Sequence, residues 1–368
     1  MKSRLISIDA FRGFDMFWIT GGGALLCAIA SAFPGGADSI VVRQLHHVEW
    51  EGVRFEDLIF PVFLFISGLT YPFSHAGQLA RGVSSVSQHL KVLRRALALI
   101  AIGMVYNGFL CCDWHALGDF RYASVLGKIG VAWGVAALVY LHCRLRGRIM
   151  LCVAGLVGYG VMLAFTAPDA PTGAVSTSLE GCFVGWLDRH FTPGHLYCAN
   201  LMEPSGPFVS FFGYPTALIG MLAGDCLRFE RFEPTRKSFH LLVAGVVCLV
   251  IGFGLSPACP IIKKLWTPSF TLVSCGWGLI AFSAFYYLID VRGWSKWAYF
   301  FRVIGANAIV AYLAGRLIDI GKTSRFFLGG LASLLPSSCS DVLLATGNVA
   351  VLWLLLNFLY RHKCYFKV

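Results

Sequence analysis

The sequence predicts an all-α polytopic membrane protein with about ten transmembrane helices and both termini cytoplasmic. Three observations predict it. Of the 368 residues, 57% are hydrophobic and only 13% charged, where an average globular domain is roughly a quarter charged. The mean hydropathy is +0.70. Apolar stretches long enough to cross a bilayer recur along the whole chain, and Lys and Arg gather in alternate gaps between them.

A bilayer core takes about 20 mostly apolar residues per helix, and ten stretches qualify: about 11–32, 56–75, 92–111, 122–142, 149–167, 207–227, 239–257, 268–289, 299–319 and 340–360. The first ends in AIASA, like the tail of a secretory signal, but Asp9, Arg12 and Asp15 stand where a charge-free core should begin. A retained first span is therefore expected. The second follows HHVEWEGVRFED and enters an apolar run, Leu58 to Leu69, interrupted only by Pro61, Ser67 and Gly68. The largest interruption, 168–206, is rich in Pro, Gly and Thr. It is expected as a long periplasmic loop within a single domain covering 1–368. No short-period repeat is visible.

Charge gives the orientation. With Lys2 and Arg4 inside, the cytoplasmic gaps hold Arg81, Lys91, Arg94 and Arg95, then Arg144, Arg146 and Arg148. Further along come Arg228, Arg231, Arg236 and Lys237, then Arg292 and Lys296, and at the end Arg361, Lys363 and Lys367. The opposite gaps are poorer in base: Arg43 and Arg54, Arg121, Arg189, Lys263 and Lys264, Lys322 and Arg325. This is the positive-inside pattern, and it explains the net charge of +11 without nucleic acid. No basic-aromatic recognition motif is present. The 13 cysteines contain no CxxC pair, so no zinc site is expected.

The polar residues that carry chemistry cluster where the second span begins. His46, His47, Glu49, Trp50 and Glu51 precede Asp57. A histidine near a helix end is ordinarily solvated. Here carboxylates lie close enough to orient an imidazole, and Trp50 can stack on a sugar ring. Asp57 should face the protein interior, because facing lipid is costly. A histidine at such a mouth suits general-base work on an amine or hydroxyl, or transient acyl transfer. Asp9 and Arg12 share a helical face at i and i+3; an ion pair is the simpler reading and a phosphate contact the functional one. Thr20, Gly21, Gly22 and Gly23 permit close packing or the close approach of a ligand. Arg121 and Lys128 are expected to snorkel to the interface. Asp188, Arg189, His190 and His195 populate the long loop as a solvated stretch or a sugar-binding lid. Asn307, inside the ninth span, glues helices or faces a substrate tunnel.

The blocks RLISIDAFRGFDMFWITGGG and HVEWEGVRFEDLIFPVFLFISG resemble the heparan-alpha-glucosaminide N-acetyltransferase family and its bacterial relatives among the transmembrane acyltransferases. RYASVLGKIGVAW, GWLDRHFTPGHLY followed by EPSG, IIKKLWTPSFTLVS and FFRVIGANAIVAY agree in order. The resemblance implies transfer of acetyl from cytosolic acetyl-CoA to the amine of a terminal glucosamine on the far side of the membrane, with no metal. Aligned through Trp-Gly and the Asp-Leu…Phe-Pro pattern, its active histidine is His47, not His46, with Asp57 or Glu49 setting the tautomer. For such an activity, the candidates read from the residues themselves are Glu49, Trp50, Asp188, His195 and Asn307 for the saccharide, and Arg12, Thr20, Gly21, Gly22, Arg94, Arg95 and Lys128 for the donor. Two departures stand out: Ile19 and Thr20 replace an asparagine ahead of the glycines, and Gly127 and Lys128 replace a Gln–Arg pair. The compact bacterial branch implies the bacterial inner membrane, and a homodimer is a candidate assembly. O-acetylation of an envelope polysaccharide and small-solute transport are the alternatives.

Overall fold

The computed structural model describes residues 5–366; Lys2, Arg4 and Lys367, used above for orientation, lie outside them. Helices α1 (Ile6–Phe17) and α2 (Gly23–Ser31) are joined by a π-helical turn, Trp18–Gly22. A short α3 (Ile40–Gln44) leads through the polar loop to α4 (Phe55–Leu69) and α5 (Tyr71–Ala80). Then come α6 (Ser85–Tyr106), α7 (Val125–His142) and α8 (Leu145–Ala164). The long loop carries α9 (Phe183–Phe191) and runs into α10 (Pro207–Phe211), α11 (Tyr214–Arg228), α12 (Pro234–Leu255) and α13 (Pro268–Tyr286). The chain closes with α14 (Tyr299–Ala306), α15 (Ala308–Leu317), α16 (Ile320–Ala332) and α17 (Ser337–Arg361). No strand forms among the described residues, only isolated bridges.

Among the described residues, eight helical segments are long and apolar enough to cross a membrane, and α14 with α15, bent by 74°, makes a ninth. The remaining expected span, the third at about 92–111, falls instead on α6, which starts earlier and carries Lys91, Arg94 and Arg95. Its apolar content is lower, yet Val86, Leu90, Leu93, Leu97 and Val105 are all exposed. Their i, i+3, i+4 spacing makes one outward stripe. Helix α12 shows the same inversion, with Phe239, Val243, Val246 and Val250 exposed. Apolar side chains left outside on whole helix faces suit hydrocarbon as the solvent. This is an all-α, multi-pass membrane protein.

Hydrogen bonds between loops show which ends share a face. Gly52 N–H bonds Ile261 O at 2.7 Å, Trp50 Nε1–H bonds Thr177 O at 2.9 Å, and Arg121 pairs with Glu203. The loops before α4, after α6, after α8 and after α12 thus meet at one end, here the His47 face. The ends of α7 and α11 meet at the other, where Asp225 accepts from Tyr140 Oη at 2.6 Å and from Arg148 at 2.7 Å. Helix α6 must run from one face to the other to join these two sets.

The α4–α11 crossing sets the core spacing. A Cβ on Gly68 would strike the Ala217 carbonyl, and one on Gly220 the Phe65 carbonyl. Without a hydrophobic force between helices in lipid, such close approach supplies the packing. Gly220→Leu is therefore expected to remove monodisperse protein from size-exclusion profiles in detergent. Gly254→Ala, where nothing lies within 4 Å, should leave the profile unchanged.

A candidate active site at the head of α4

Asp57 occupies the first turn of α4 and is 1% exposed. Its carboxylate gathers four donors. Oδ2 accepts from the backbone N–H of Val48 at 3.2 Å and of Arg54 at 3.1 Å. Oδ1 lies 2.9 Å from His47 Nδ1 and 3.2 Å from Lys263 Nζ. A carboxylate at a helix start also meets the positive end of the helix dipole. With Asp57 accepting from the ring, Nδ1 carries the proton and Nε2 presents its lone pair. The His47 side chain is 59% exposed, so that lone pair is open to a ligand.

Lys263 completes the cluster from the loop between α12 and α13. Its Nζ is 3.1 Å from His47 Nδ1. Burial pushes the Lys263 ammonium below its ordinary range, and the ion pair with Asp57 opposes that push. The sequence reading counted this residue only as a base on the wrong side. Two adjacent lysines in IIKKLW, on a face otherwise poor in base, were the signal that could have found it. Arg54, whose Nη1 lies 3.4 Å from the His47 carbonyl, was likewise unmarked. His46 turns elsewhere, its Nδ1 lying 2.8 Å from the Val42 carbonyl.

The remaining expected saccharide residues separate. Glu49 and His195 are exposed on the His47 face. Trp50 is a hook: its indole N–H is spent on Thr177 O, while Lys264 Nζ sits 5.5 Å from the ring. Asp188 is fully buried inside the lid, where it accepts from Glu203 N–H at 3.0 Å and Thr192 Oγ1–H at 3.2 Å. Glu203, also fully buried, takes both arms of Arg121 at 2.8 and 2.6 Å. These acids build the lid from within. Asn307 sits elsewhere again. It bonds Cys364 O at 3.1 Å and Phe366 N–H at 3.2 Å, two residues past Gly305, which abuts the Asp9 carbonyl on α1. That places it beside the segment following α17, away from His47.

Burial raises the Asp188 carboxyl from 3.8 to about 7, with nearby Glu203 adding to the rise and hydrogen bonds opposing it. The folded lid therefore holds a proton that the unfolded lid releases, and its stability falls as pH rises from about 4 to about 7. A three-unit rise corresponds to about 4 kcal/mol at most. Limited proteolysis of the 168–206 segment should be slower at pH 5 than at pH 8, and Asp188→Asn should flatten that difference.

The donor candidates also separate. Arg94 and Arg95 line a cavity of about 540 Å³ with Gln88, Lys91 and Trp133. Arg95 stacks 4.1 Å from the Trp133 ring, and its Nε is buried with no hydrogen-bond partner. Arg12, 3.8 Å from Asp9, lines a second cavity of about 1010 Å³ with Arg228 and Lys237, and Asp9 and Glu230 line it as well. The two cavities share Ser74. Seventeen residues of helix separate Ser74 from Asp57, roughly 25 Å, so the cationic cavities open at the face opposite His47. Thr20, Gly21 and Gly22 line none of these cavities. Thr20 Oγ1–H bonds Met16 O at 2.8 Å, and Gly21, at φ 133°, packs by Val349 of α17. Lys128 does not snorkel. It is 2% exposed, donates to Pro204 O at 2.9 Å and lies 3.7 Å over the Trp266 ring, fastening the lid rather than facing the cationic end. All thirteen cysteines are free thiols, and no cluster of three or more metal-binding side chains occurs among the described residues.

No family model matches the chain. Two curated proteins are similar along its whole length. Human heparan-alpha-glucosaminide N-acetyltransferase is 23% identical over 422 residues, covering 100% of this chain and 60% of the human protein. The mouse protein of the same name is 24% identical over 424 residues, covering 100% of this chain and 61% of its own length. The chain thus spans about three-fifths of the relatives it matches, and its full-length similarity supports kinship with that family.

Proposed function

We propose that this chain is a transmembrane N-acetyltransferase that moves acetyl from cytosolic acetyl-CoA to the amine of a terminal glucosamine across the membrane. The observation that carries this reading is the polarity of one helical span. A His47–Asp57–Lys263 cluster stands at one end of α4–α5, and cation-lined cavities open at the other. Chain-long similarity to proteins named for that activity supports it. The cationic face is then cytosolic, as the basic gaps suggest, and His47 faces the periplasm of a bacterial inner membrane.

In this mechanism the donor's phosphates meet Lys91, Arg94, Arg95 and Arg12, and Arg95 Nε supplies a donor awaiting an acceptor oxygen. His47 Nε2 takes a proton from the acceptor's ammonium form, freeing the lone pair. The amine nitrogen attacks the thioester carbonyl, the C–S bond breaks, and CoA leaves as the thiol, its sulfur taking the proton that this nitrogen loses on becoming the amide. Asp57 holds the ring and balances the imidazolium charge. The alternative route acetylates Nε2 first. Release of CoA without acceptor, in an amount matching the enzyme, marks that route. The test is purified protein in detergent given labelled acetyl-CoA and either glucosamine-terminated or hydroxyl-only sugars. Label on the amine is expected; label on neither sugar overturns the reading.

A further inference from the structure

Helices α1, α4 and α13 line a third cavity of about 510 Å³, open where Phe253 and Trp277 are exposed and bounded by Arg54 and Phe55 beside the His47–Asp57 cluster. Its walls are mainly apolar: Phe11, Leu58, Val62, Trp277 and their neighbours. Its polar lining includes Gln44, Arg54, Asp15 and Trp18, and the last two carry buried atoms without partners. Asp15 is 4% exposed, and its Oδ2 is buried with no hydrogen-bond partner. Trp18, three residues on at the start of the π-helical turn, has a buried Nε1–H that also lacks a partner. Both side chains line the cavity. Buried polar atoms in folded proteins are overwhelmingly satisfied. An acceptor and a donor left open together in one apolar chamber describe a ligand that brings both.

The Arg12 cavity lies on two of the same helices nearer the cationic face and shares no lining residue with this one. The Arg12 cavity is lined by α1 through Ile8 and Arg12 and by Tyr286 at the end of α13. Between the two chambers lies a packed aromatic cluster. Phe11 lies 5.6 Å from Phe282 and 5.2 Å from Phe285, and Phe14 lies 5.3 Å from Phe285, ring centre to ring centre. A ligand held in both chambers must be slim where the rings part, cationic-site-seeking at one end and amide-like at the other.

We infer that Asp15 and Trp18 form a hydrogen-bonding subsite for the amide groups of the pantetheine arm of acyl-CoA, in the membrane interior below His47. This rests on the acetyl-CoA reading above and names the residues that hold the arm. Pantetheine is a thin chain with two amides, each offering one N–H and one carbonyl. Asp15 accepts from an N–H and Trp18 donates to a carbonyl. The thioester beyond the second amide is thereby directed toward the boundary at Arg54 and the neighbouring imidazole. Phe11 and Phe14 turn aside to admit the arm.

The test is equilibrium binding of CoA and of pantetheine to the whole protein in detergent, with melting temperature read in the same samples. Asp15→Leu and Trp18→Phe are each expected to weaken CoA and pantetheine at least tenfold. The ligand-free Asp15→Leu protein should melt no lower than the wild type, because an unsatisfied buried oxygen has been removed. Adenosine 3′,5′-bisphosphate, which lacks the arm, should bind wild type and variants alike. Unchanged pantetheine affinity overturns the subsite while leaving the acetyl-CoA reading intact. A lowered melting temperature with equal loss for the bisphosphate assigns these residues to the fold and also overturns it. Failure of wild-type protein to bind CoA removes the acetyl-CoA reading itself.

Discussion

His47→Ala is expected to reduce acetyl transfer about 10²–10⁴-fold while leaving the protein folded. The imidazole is largely exposed, so its removal opens no buried cavity. Asp57 keeps three other donors, from Val48, Arg54 and Lys263. The melting temperature should therefore change little while turnover with a glucosamine acceptor collapses. Donor binding should survive, because the cations that would meet the nucleotide line cavities at the opposite face. Turnover is followed with labelled acetyl-CoA and donor affinity by calorimetry. Full turnover in the variant removes His47 from the chemistry. Retained turnover in His46→Ala is the companion expectation, since His46 is turned toward the Val42 carbonyl.

Changes at Asp57 separate its two tasks. Asp57→Asn keeps the shape but removes the charge that fixes the ring and balances the imidazolium. Loss of about 10²–10⁴-fold in turnover is expected, with folded protein retained. Asp57→Ala goes further. It strands two backbone N–H groups at the head of α4 and an ammonium that is 23% exposed. Breaking a buried pair costs about 3–5 kcal/mol, and water reaching Lys263 places this site at the low end of that range. Thermal unfolding in detergent should show a drop for Asn, from the broken pair, and a larger one for Ala, from the stranded donors as well. Adding Lys263→Met to Asp57→Ala should recover part of the stability, because the unpaired charge is then gone, without recovering turnover. An equal drop for Ala and Asn would show that the charge, not the stranded donors, carries the stability.

The lid illustrates how a residue can carry a functional signature and serve the fold. Asp188, Arg189, His190 and His195 read as a polar loop suited to sugar. In the folded chain Asp188 and Glu203 are fully buried acceptors for lid backbone N–H groups. Arg189 pairs with Asp169, and Lys128 and Arg121 fasten the lid from α7 and the strand-like segment before it. Nothing in the local sequence distinguishes an acid that binds a ligand from one that binds its own chain. The difference lies in partners dozens of residues away.

Composition and charge spacing were enough for the membrane class, since lipid as solvent forces long apolar runs and a bias in basic gaps. That His47 would draw on a nearby carboxylate, Asp57 or Glu49, was legible because all three lie in one continuous stretch leading into a span; the fold chose Asp57 and left Glu49 exposed. The loss of α6 from the apolar set and the break at Asn307 were harder to see. A cationic end and a kink are tolerated only because neighbouring helices and the segment after α17 satisfy them. Lys263 joined the cluster, and Asp15 and Trp18 came to face one chamber with α4 and α13, only on folding. Contacts across more than two hundred residues of chain depend on how helices cross, and those crossings are set by backbone approaches such as Gly68 on Ala217 that no single stretch of sequence records.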